Sequence, residues 1–244
     1  MDIPYLTTTQ MREVDRAMLE DYGIELLQMM ENAGRCLAAL ARRRFLGGDP
    51  RGKQVVVLAG AGGNGGGGLV CARRLHNWGA EVHVYVTRPP GGFQGVPAHQ
   101  LRIWQRLGTV AVARDVGEVD WRGADLIIDA MIGYSLRGAP RGAAAELIHR
   151  ANDSGVPILA LDTPSGLDTS TGEAHAPTIR ATATLTLALP KVGLKLGREY
   201  VGELYLADIG VPPELYAGPG LNLRVGPIFA QDDIIRLPGG EPAV

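Results

Sequence analysis

The chain has 244 residues, of which 45% are hydrophobic, with 24 Lys or Arg against 26 Asp or Glu and a formal net charge of −2. That size and apolar content suit one large core, and the near-neutral balance argues against a nucleic-acid surface or a cationic membrane anchor. There is no charged-then-apolar leader and no apolar run long enough to cross a bilayer, and Cys36 and Cys71 both sit in apolar helical contexts. The expectation is a cytoplasmic protein with reduced thiols and no membrane or nucleic-acid partner.

Thr7-Thr8-Thr9 followed by Met11, Val14, Ala17 and Met18 combines N-cap residues with i, i+3/i+4 apolar spacing, which predicts a first helix ended by Gly23. Leu26, Leu27, Met30, Ala33, Leu37, Leu40 and Ala41 keep the helical period, so a second helix is predicted over 24–45, closed by Gly47-Gly48-Asp49-Pro50. Arg42-Arg43-Arg44 reads as its solvated end. Asn32 and Gly34 are poor interior helix residues. Gly34 suggests close helix packing, and Asn32 either shares that role or reaches a ligand or interface.

From Lys53 the pattern alternates between strands and helices. Strands are predicted at 55–58, 82–86, 110–112, 126–128, 157–161, 182–188 and 204–207, with helices at 69–78, 97–107 and 143–152. This predicts an α/β fold: a Rossmann-like three-layer sandwich with a mostly parallel sheet, helices on both faces and two N-terminal helices. The whole of 1–244 reads as one domain, with its β/α core at 53–210 and a frayed tail at 238–244.

Ligands bind at the carboxyl ends of strands in such sheets. Three strand ends stand out: the glycine-rich run from Gly60 to Gly68 with Asn64, the turn that follows Asp129, and Asp162-Thr163-Pro164-Ser165-Gly166. A glycine-rich turn leading into a helix leaves amide N–H groups facing one place, with the helix dipole behind them, and suits a phosphate. Gly60-Ala61-Gly62-Gly63-Asn64-Gly65 also fits the dinucleotide fingerprint of an NADP-dependent oxidoreductase. That fingerprint expects an acid after the second strand. Here the strand ends Val86-Thr87-Arg88, which has no acid, although Arg88 suits a 2′-phosphate. No Lys-Ser/Thr follows the glycines, and the five histidines are scattered without metal-ligand spacing. Lysine is rare, with only Lys53, Lys191 and Lys195. Lys191 after Pro190 reads either as a surface residue or as an electrostatic aid to chemistry.

Six segments in order carry a resemblance. Met29-Met30-Glu31-Asn32-Ala33-Gly34-Arg35 resembles the helix motif MENAGR of the YjeF N-terminal family, the NAD(P)H-hydrate epimerases. The glycine run resembles that family's GNNGGDG turn, 129–138 its DAxFGxSxKG segment, and 162–168 its DIPSGxD segment. Residues 188–193 and 200–210 resemble its closing strands. The resemblance implies interconversion of the R and S forms of NADHX and NADPHX, which are NADH and NADPH hydrated on the reduced nicotinamide ring, with a separate dehydratase acting downstream. It implies that Gly63, Asn64, Gly65, Gly66 and Gly67 hold phosphate and that Gly133, Tyr134, Ser135, Leu136, Arg137, Gly138 and Ala139 wrap the substrate. It also implies a potassium ion held by Asn64, Asp129 and Ser165, catalysis by Asp162 with help from Lys191, and a homodimer. Gly63 and Gly67 stand where the family pattern has Asn and Asp. The alternative reading is therefore a weakly active or inactive nucleotide-binding, dimerising module of the same fold.

Overall fold

The computed structural model describes residues 3–112 and 121–238, so most of the tail expected to fray, 239–244, lies outside the described residues. Helices α1 (Thr8–Glu20) and α2 (Leu26–Leu40, continued by a π turn, Ala41–Phe45) come first. The α/β part follows as β1 (Gln54–Ala59), α3 (Gly63–Asn77), β2 (Glu81–Val86), α4 (Gly95–Trp104), β3 (Val110–Val112), β4 (Leu126–Ala130), α5 (Ala143–Asp153) and β5 (Ile158–Leu161). Then come β6 (Ala183–Leu187), α6 (Val192–Leu196), α7 (Arg198–Val201), β7 (Glu203–Ala207), α8 (Pro213–Ala217) and β8 (Ile234–Arg236). The sheet order is β3-β2-β1-β4-β5-β6-β7-β8. All neighbours are parallel except β8, which is antiparallel to β7. The order reverses between β1 and β4, and this opens a crevice at their carboxyl ends.

Local chemistry sets these elements. Thr7 caps α1 by accepting the Gln10 N–H at 3.2 Å while the Gln10 side chain accepts the Thr7 N–H at 2.9 Å, which satisfies two otherwise orphaned donors. In β1, Val55 and Val57 pack into one cluster with α2, α3 and α4, and Val56 and Leu58 into another with α5. That alternation is why a run of β-branched residues is buried on both faces. A third cluster joins α1 to β7, α6 and α8.

The sequence and the structure differ in three places. The expected helix from Leu69 begins six residues earlier, at Gly63, so the glycines after Asn64 are helix rather than loop. Glycine is the weakest helix former after proline, but here it permits contact. A Cβ at Gly66 would lie 2.5 Å from Met30 Sδ, one at Gly67 2.8 Å from Leu161 Cδ2, and one at Gly68 2.5 Å from Ala130 Cβ. The helix is seated against α2 and the sheet because these positions lack side chains. The sheet also runs past the expected 53–210 core to β8, a three-residue strand too short to show periodicity. Finally, the short helices α6, α7 and α8 go unseen in the sequence, because four or five residues barely complete one turn.

Gly34 does serve close packing. A Cβ there would lie 2.4 Å from Val70 Cβ and 2.6 Å from the Gly67 carbonyl oxygen. Asn32 is structural as well, its amide donating to the Ile209 carbonyl at 3.3 Å. Gly34→Ala gains helix propensity of about 1 kcal/mol but forces α2 away from α3, at a cost of about 1–3 kcal/mol. The expected result is a lower urea midpoint with an unchanged slope, and a raised midpoint would show that the two helices can separate freely.

Candidate functional site

Three chain segments meet at the crevice between β1 and β4. The first is the turn after β1. Its glycines allow β1 and β4 to run close together, and a Cβ on Gly60 would overlap the Met131 carbonyl oxygen at 2.0 Å. Gly62 and Gly63 face open space, with nothing closer than Met30 Cε at 3.8 Å from a Cβ on Gly63. The first amides of α3 have no acceptor inside the helix, so this bare terminus presents donors and a positive partial charge to the crevice. Asn64 is fixed by donating its amide to the Leu161 carbonyl at 3.1 Å.

The other two segments follow β4 and β5, and two buried aspartates brace them reciprocally. Asp129, at the end of β4, accepts the Ser165 N–H at 2.7 Å and the Ser165 hydroxyl at 2.6 Å from the β5 turn. It also accepts the Met131 N–H at 3.2 Å. Asp162, just past β5, accepts the Tyr134 N–H from the β4 turn at 2.9 Å. Ser165 Oγ accepts the Ile132 N–H at 2.9 Å and closes the pattern. Asp162 has φ +67°, a left-handed conformation that a non-glycine residue holds only when its surroundings fix it.

The other oxygen of Asp162, Oδ1, is 2.5 Å from Lys191 Nζ. Lys191 is therefore not a surface residue: it is fully buried at the start of α6. Its ammonium also donates to Thr186 Oγ1 at 3.2 Å and to the Leu187 carbonyl at 2.9 Å, so all three donors are used. It stands behind Asp162 and holds it, whereas Asp162 itself lines the cavity.

That cavity has a volume of about 490 Å³. Its floor is Gly62, Gly63, Asn64, Gly67, Gly133, Tyr134, Ser135 and Asp162, and its apolar wall is Met11, Leu26, Met29, Met30, Leu187 and Ile209. Gly65 and Gly66 are buried in α3 and do not face it. A second, more open hollow of about 770 Å³ adjoins it, sharing Gly62, Met131, Ile132 and Ser135. Leu136, Arg137, Gly138, Ala139, Arg141, Thr87 and Arg88 line that hollow, and no acid does among the described residues. A deep apolar pocket continuous with a cationic groove suits an elongated ligand with a ring at one end and phosphates along its length.

Asp15 and the apolar wall contributed by α1 and α2 are not foreseen in the sequence. Asp15 lines the cavity and accepts a short hydrogen bond from the Tyr134 hydroxyl. Its only sequence signal is a charge beside the buried Val14, and the neighbours Arg12 and Arg16 disguise it as part of a solvated face.

Removing Lys191 strands a buried carboxylate. Lys191→Met is expected to lower stability by about 3–5 kcal/mol, the cost of breaking rather than replacing a buried pair. The double variant Lys191→Met/Asp162→Leu is expected to recover much of that. Urea titration of both proteins reads the difference, and equal losses would mean that the pair is not the constraint.

The family model described as YjeF-related protein N-terminus matches residues 26–193, more than half of the chain and all three strand-end segments. A Dehalogenimonas lykanthroporepellens protein named NAD(P)H-hydrate epimerase is 43% identical over 97% of this chain and 94% of its own length. A Rhodopirellula baltica protein of the same name is 36% identical over 88% of each chain. A Moorella thermoacetica protein named bifunctional NAD(P)H-hydrate repair enzyme Nnr is 36% identical over 90% of this chain, but this match spans only 43% of that longer protein. The crystal structure of yeast ynu0 superposes with a TM-score of 0.79 at 26% identity, covering 96% of this chain and all of that one. With its glycine-rich turn, Asp129 and Asp162 all inside the matched segment, the chain belongs to the family of the YjeF-related protein N-terminus.

Proposed function

We propose that this chain is an NAD(P)H-hydrate epimerase, an isomerase that interconverts the R and S forms of hydrated NADH and NADPH for cofactor repair. The observation that carries the reading is Asp162: a strained, ion-paired carboxylate on the floor of an apolar cavity, beside a bare helix terminus. The 43% identity to a protein of that name over nearly the full length of both supports it. A reduced nicotinamide ring fits the methionine-lined cavity, and the pyrophosphate fits the amides at Gly63 and Asn64. The adenosine half then falls in the groove of Arg88, Arg137 and Arg141.

The chemistry follows from the substrate. A hydroxyl on the ring carbon beside nitrogen leaves as water once it is protonated, because the nitrogen lone pair stabilises the cation left behind. Water then returns to the other face. Asp162 is placed to exchange a proton with that hydroxyl, and Lys191 orients it. The cavity is largely apolar, which strengthens both interactions. The product is substrate for a dehydratase acting downstream, and the Moorella protein is named a bifunctional repair enzyme for such hydrates. In this reading that dehydratase is a separate protein.

The reading includes a potassium ion beside Asp129. That carboxylate is fully buried and faces no cation among the described residues, and its partners are a hydroxyl and backbone amides. Thr163 Oγ1, in the same turn as Ser165, is buried with no hydrogen-bond partner. Asn64, Asp129 and Ser165 offer oxygen donors of the type a hard cation takes, and the ion would supply charge compensation. Leu19 on α1, Tyr22 in the turn after it, and Leu26 and Leu27 at the start of α2 are exposed apolar residues, which supports a homodimer through those helices. Two buried free cysteines, with Cys36 pushed up to about 11 by burial, suit a cytoplasmic protein.

Two experiments test the reading. The chain is mixed with R-NADHX and a dehydratase specific for the S form, and NADH absorbance is followed. Recovery well above the spontaneous rate is expected, and no acceleration would leave a nucleotide-binding module in its place. The second concerns the ion. Burial, against hydrogen bonds from Ser165 and Met131, pushes the Asp129 carboxyl up to about 6. A folded value above the unfolded value of about 3.9 means that stability is full below pH 4 and is lost as pH rises through about 6. The loss is on the order of 3 kcal/mol. A cation beside the carboxylate offsets it. The Tm gain in potassium chloride over tetramethylammonium chloride at equal ionic strength should therefore grow from pH 4 to pH 8. A gain that stays flat would remove Asp129 from the ligands.

A further inference from the structure

The two epimers carry their hydroxyl on opposite faces of the ring. While the ring is held in the cavity, a carboxylate on one side reaches one face only, so a second proton-exchanging group is needed for the other. Among the described residues lining the cavity only two are acidic, Asp162 from the end of β5 and Asp15 from α1. Tyr134 connects them: its backbone N–H donates to Asp162 Oδ2 and its hydroxyl to Asp15 Oδ2. The two carboxyl groups are thus bound to the two ends of one tyrosine, Asp162 to its amide and Asp15 to its hydroxyl. Inverting glycosidases show the same division of labour, with one carboxyl group protonating the leaving oxygen on one face of a ring and a second activating a water on the other.

We propose that Asp15, oriented by the Tyr134 hydroxyl, is the second catalytic carboxyl group of this site and serves the ring face that Asp162 does not reach. This rests on the epimerase reading above. In one direction, Asp15 gives its proton to the hydroxyl as the C–O bond breaks. The ring-nitrogen lone pair forms the C=N bond and water departs. A water then adds to the same carbon from the opposite face, the C=N pair returns to nitrogen, and the released proton passes to Asp162. The reverse direction exchanges the roles, so protons balance over a pair of turnovers or through solvent.

The surroundings of the two groups fit this division. Asp162 is ion-paired to Lys191 at 2.5 Å. Asp15 has no ion-pair partner among the described residues. Burial raises its carboxyl above the usual range, with a smaller contribution from the charge of Asp162, against the opposing Tyr134 hydrogen bond and the more distant Lys191. The Tyr134 hydroxyl is itself raised, by burial first and then by Asp15, and Arg12 nearby works the other way. An ion-paired carboxylate and a buried carboxyl group without an ion pair give the cavity two acidic groups in different surroundings, as a division into acid and base requires.

The test follows oxygen. Wild type, Asp15→Asn, Asp162→Asn and Tyr134→Phe are each incubated with R-NADHX or S-NADHX in H2¹⁸O. The R/S ratio and ¹⁸O content of the dinucleotide are read against enzyme-free controls, and NADP⁺ affinity is measured by calorimetry. Wild type should epimerise with ¹⁸O incorporation. Asp15→Asn should lose epimerisation by about a hundredfold or more in kcat, with KM and NADP⁺ affinity retained, while one epimer still exchanges its oxygen without inversion. Asp162→Asn should spare exchange in the opposite epimer. Tyr134→Phe, which leaves both carboxyls in place, should lower kcat and shift the pH profile. Asp15→Asn at the wild-type rate, or a loss of NADP⁺ affinity that matches its loss of rate, would overturn the proposal while leaving the epimerase reading intact. An inactive wild type would overturn both.

Discussion

The ion pair between Lys191 and Asp162 is the contact on which the site depends. A fully buried ammonium survives only if every donor finds an acceptor. Here the acceptors come from Asp162 past β5, Thr186 in β6 and Leu187 at the end of β6. The N-terminal segment adds its own tie, with the Leu6 N–H donating to the Pro190 carbonyl at 2.7 Å and the Val192 N–H donating to the Leu6 carbonyl at 3.0 Å. One cation thus fixes two strand ends and the segment leading into α6. Such a pair adds little net stability over an apolar replacement, because desolvation consumes most of the Coulomb gain. What it provides is a carboxylate whose orientation, backbone strain and hydrogen bonds are all determined by its neighbours.

The glycines of α3 bear on the same site from the other side. A helix seated against α2, Ala130 and Leu161 brings its N-terminal amides into the crevice without an intervening layer of side chains. Gly67, where the family pattern has an acid, lines the cavity opposite Leu161. The wall there is apolar, and the acidic chemistry of the cavity is concentrated on Asp162 and Asp15. The glycine-rich run is therefore part of a packed interface rather than a flexible loop.

Much of this is legible in the sequence, and the reasons are physical. Strands such as Val55–Leu58 and Leu126–Ile128 are apolar on both faces because helices cover both, and an aspartate at the end of such a strand is conspicuous. Asp129 and Asp162 can be named for that reason and Asn64 for the glycine-rich run around it, whereas the part played by the turn from Gly133 to Ala139 is legible only through the family resemblance. The start of α3 cannot, because helix propensity counts glycine against a helix, and only contact with the surfaces of α2 and the sheet outweighs that cost. Lys191 is ambiguous because a lysine after a proline carries no sign of its burial, and that burial depends on Asp162, 29 residues away.

Asp15 marks the same limit more sharply. On α1 its neighbours in sequence include Arg16, which pairs with Glu13, Glu20 and Asp21 on the exposed side. By sequence alone the segment has the pattern of a solvated charge cluster. The three-dimensional difference is one helical turn's worth of direction: Met11, Asp15 and Met18 share a stripe at i, i+4 and i+7, and two of the three are core residues. A carboxyl group on the buried stripe of an amphipathic helix must find a donor, and it finds the Tyr134 hydroxyl, on the residue whose amide binds Asp162. The N-terminal helices therefore do more than cover the sheet edge. They close the cavity with methionines that fit a ring, and they bring to it a carboxyl group that the sheet itself does not supply.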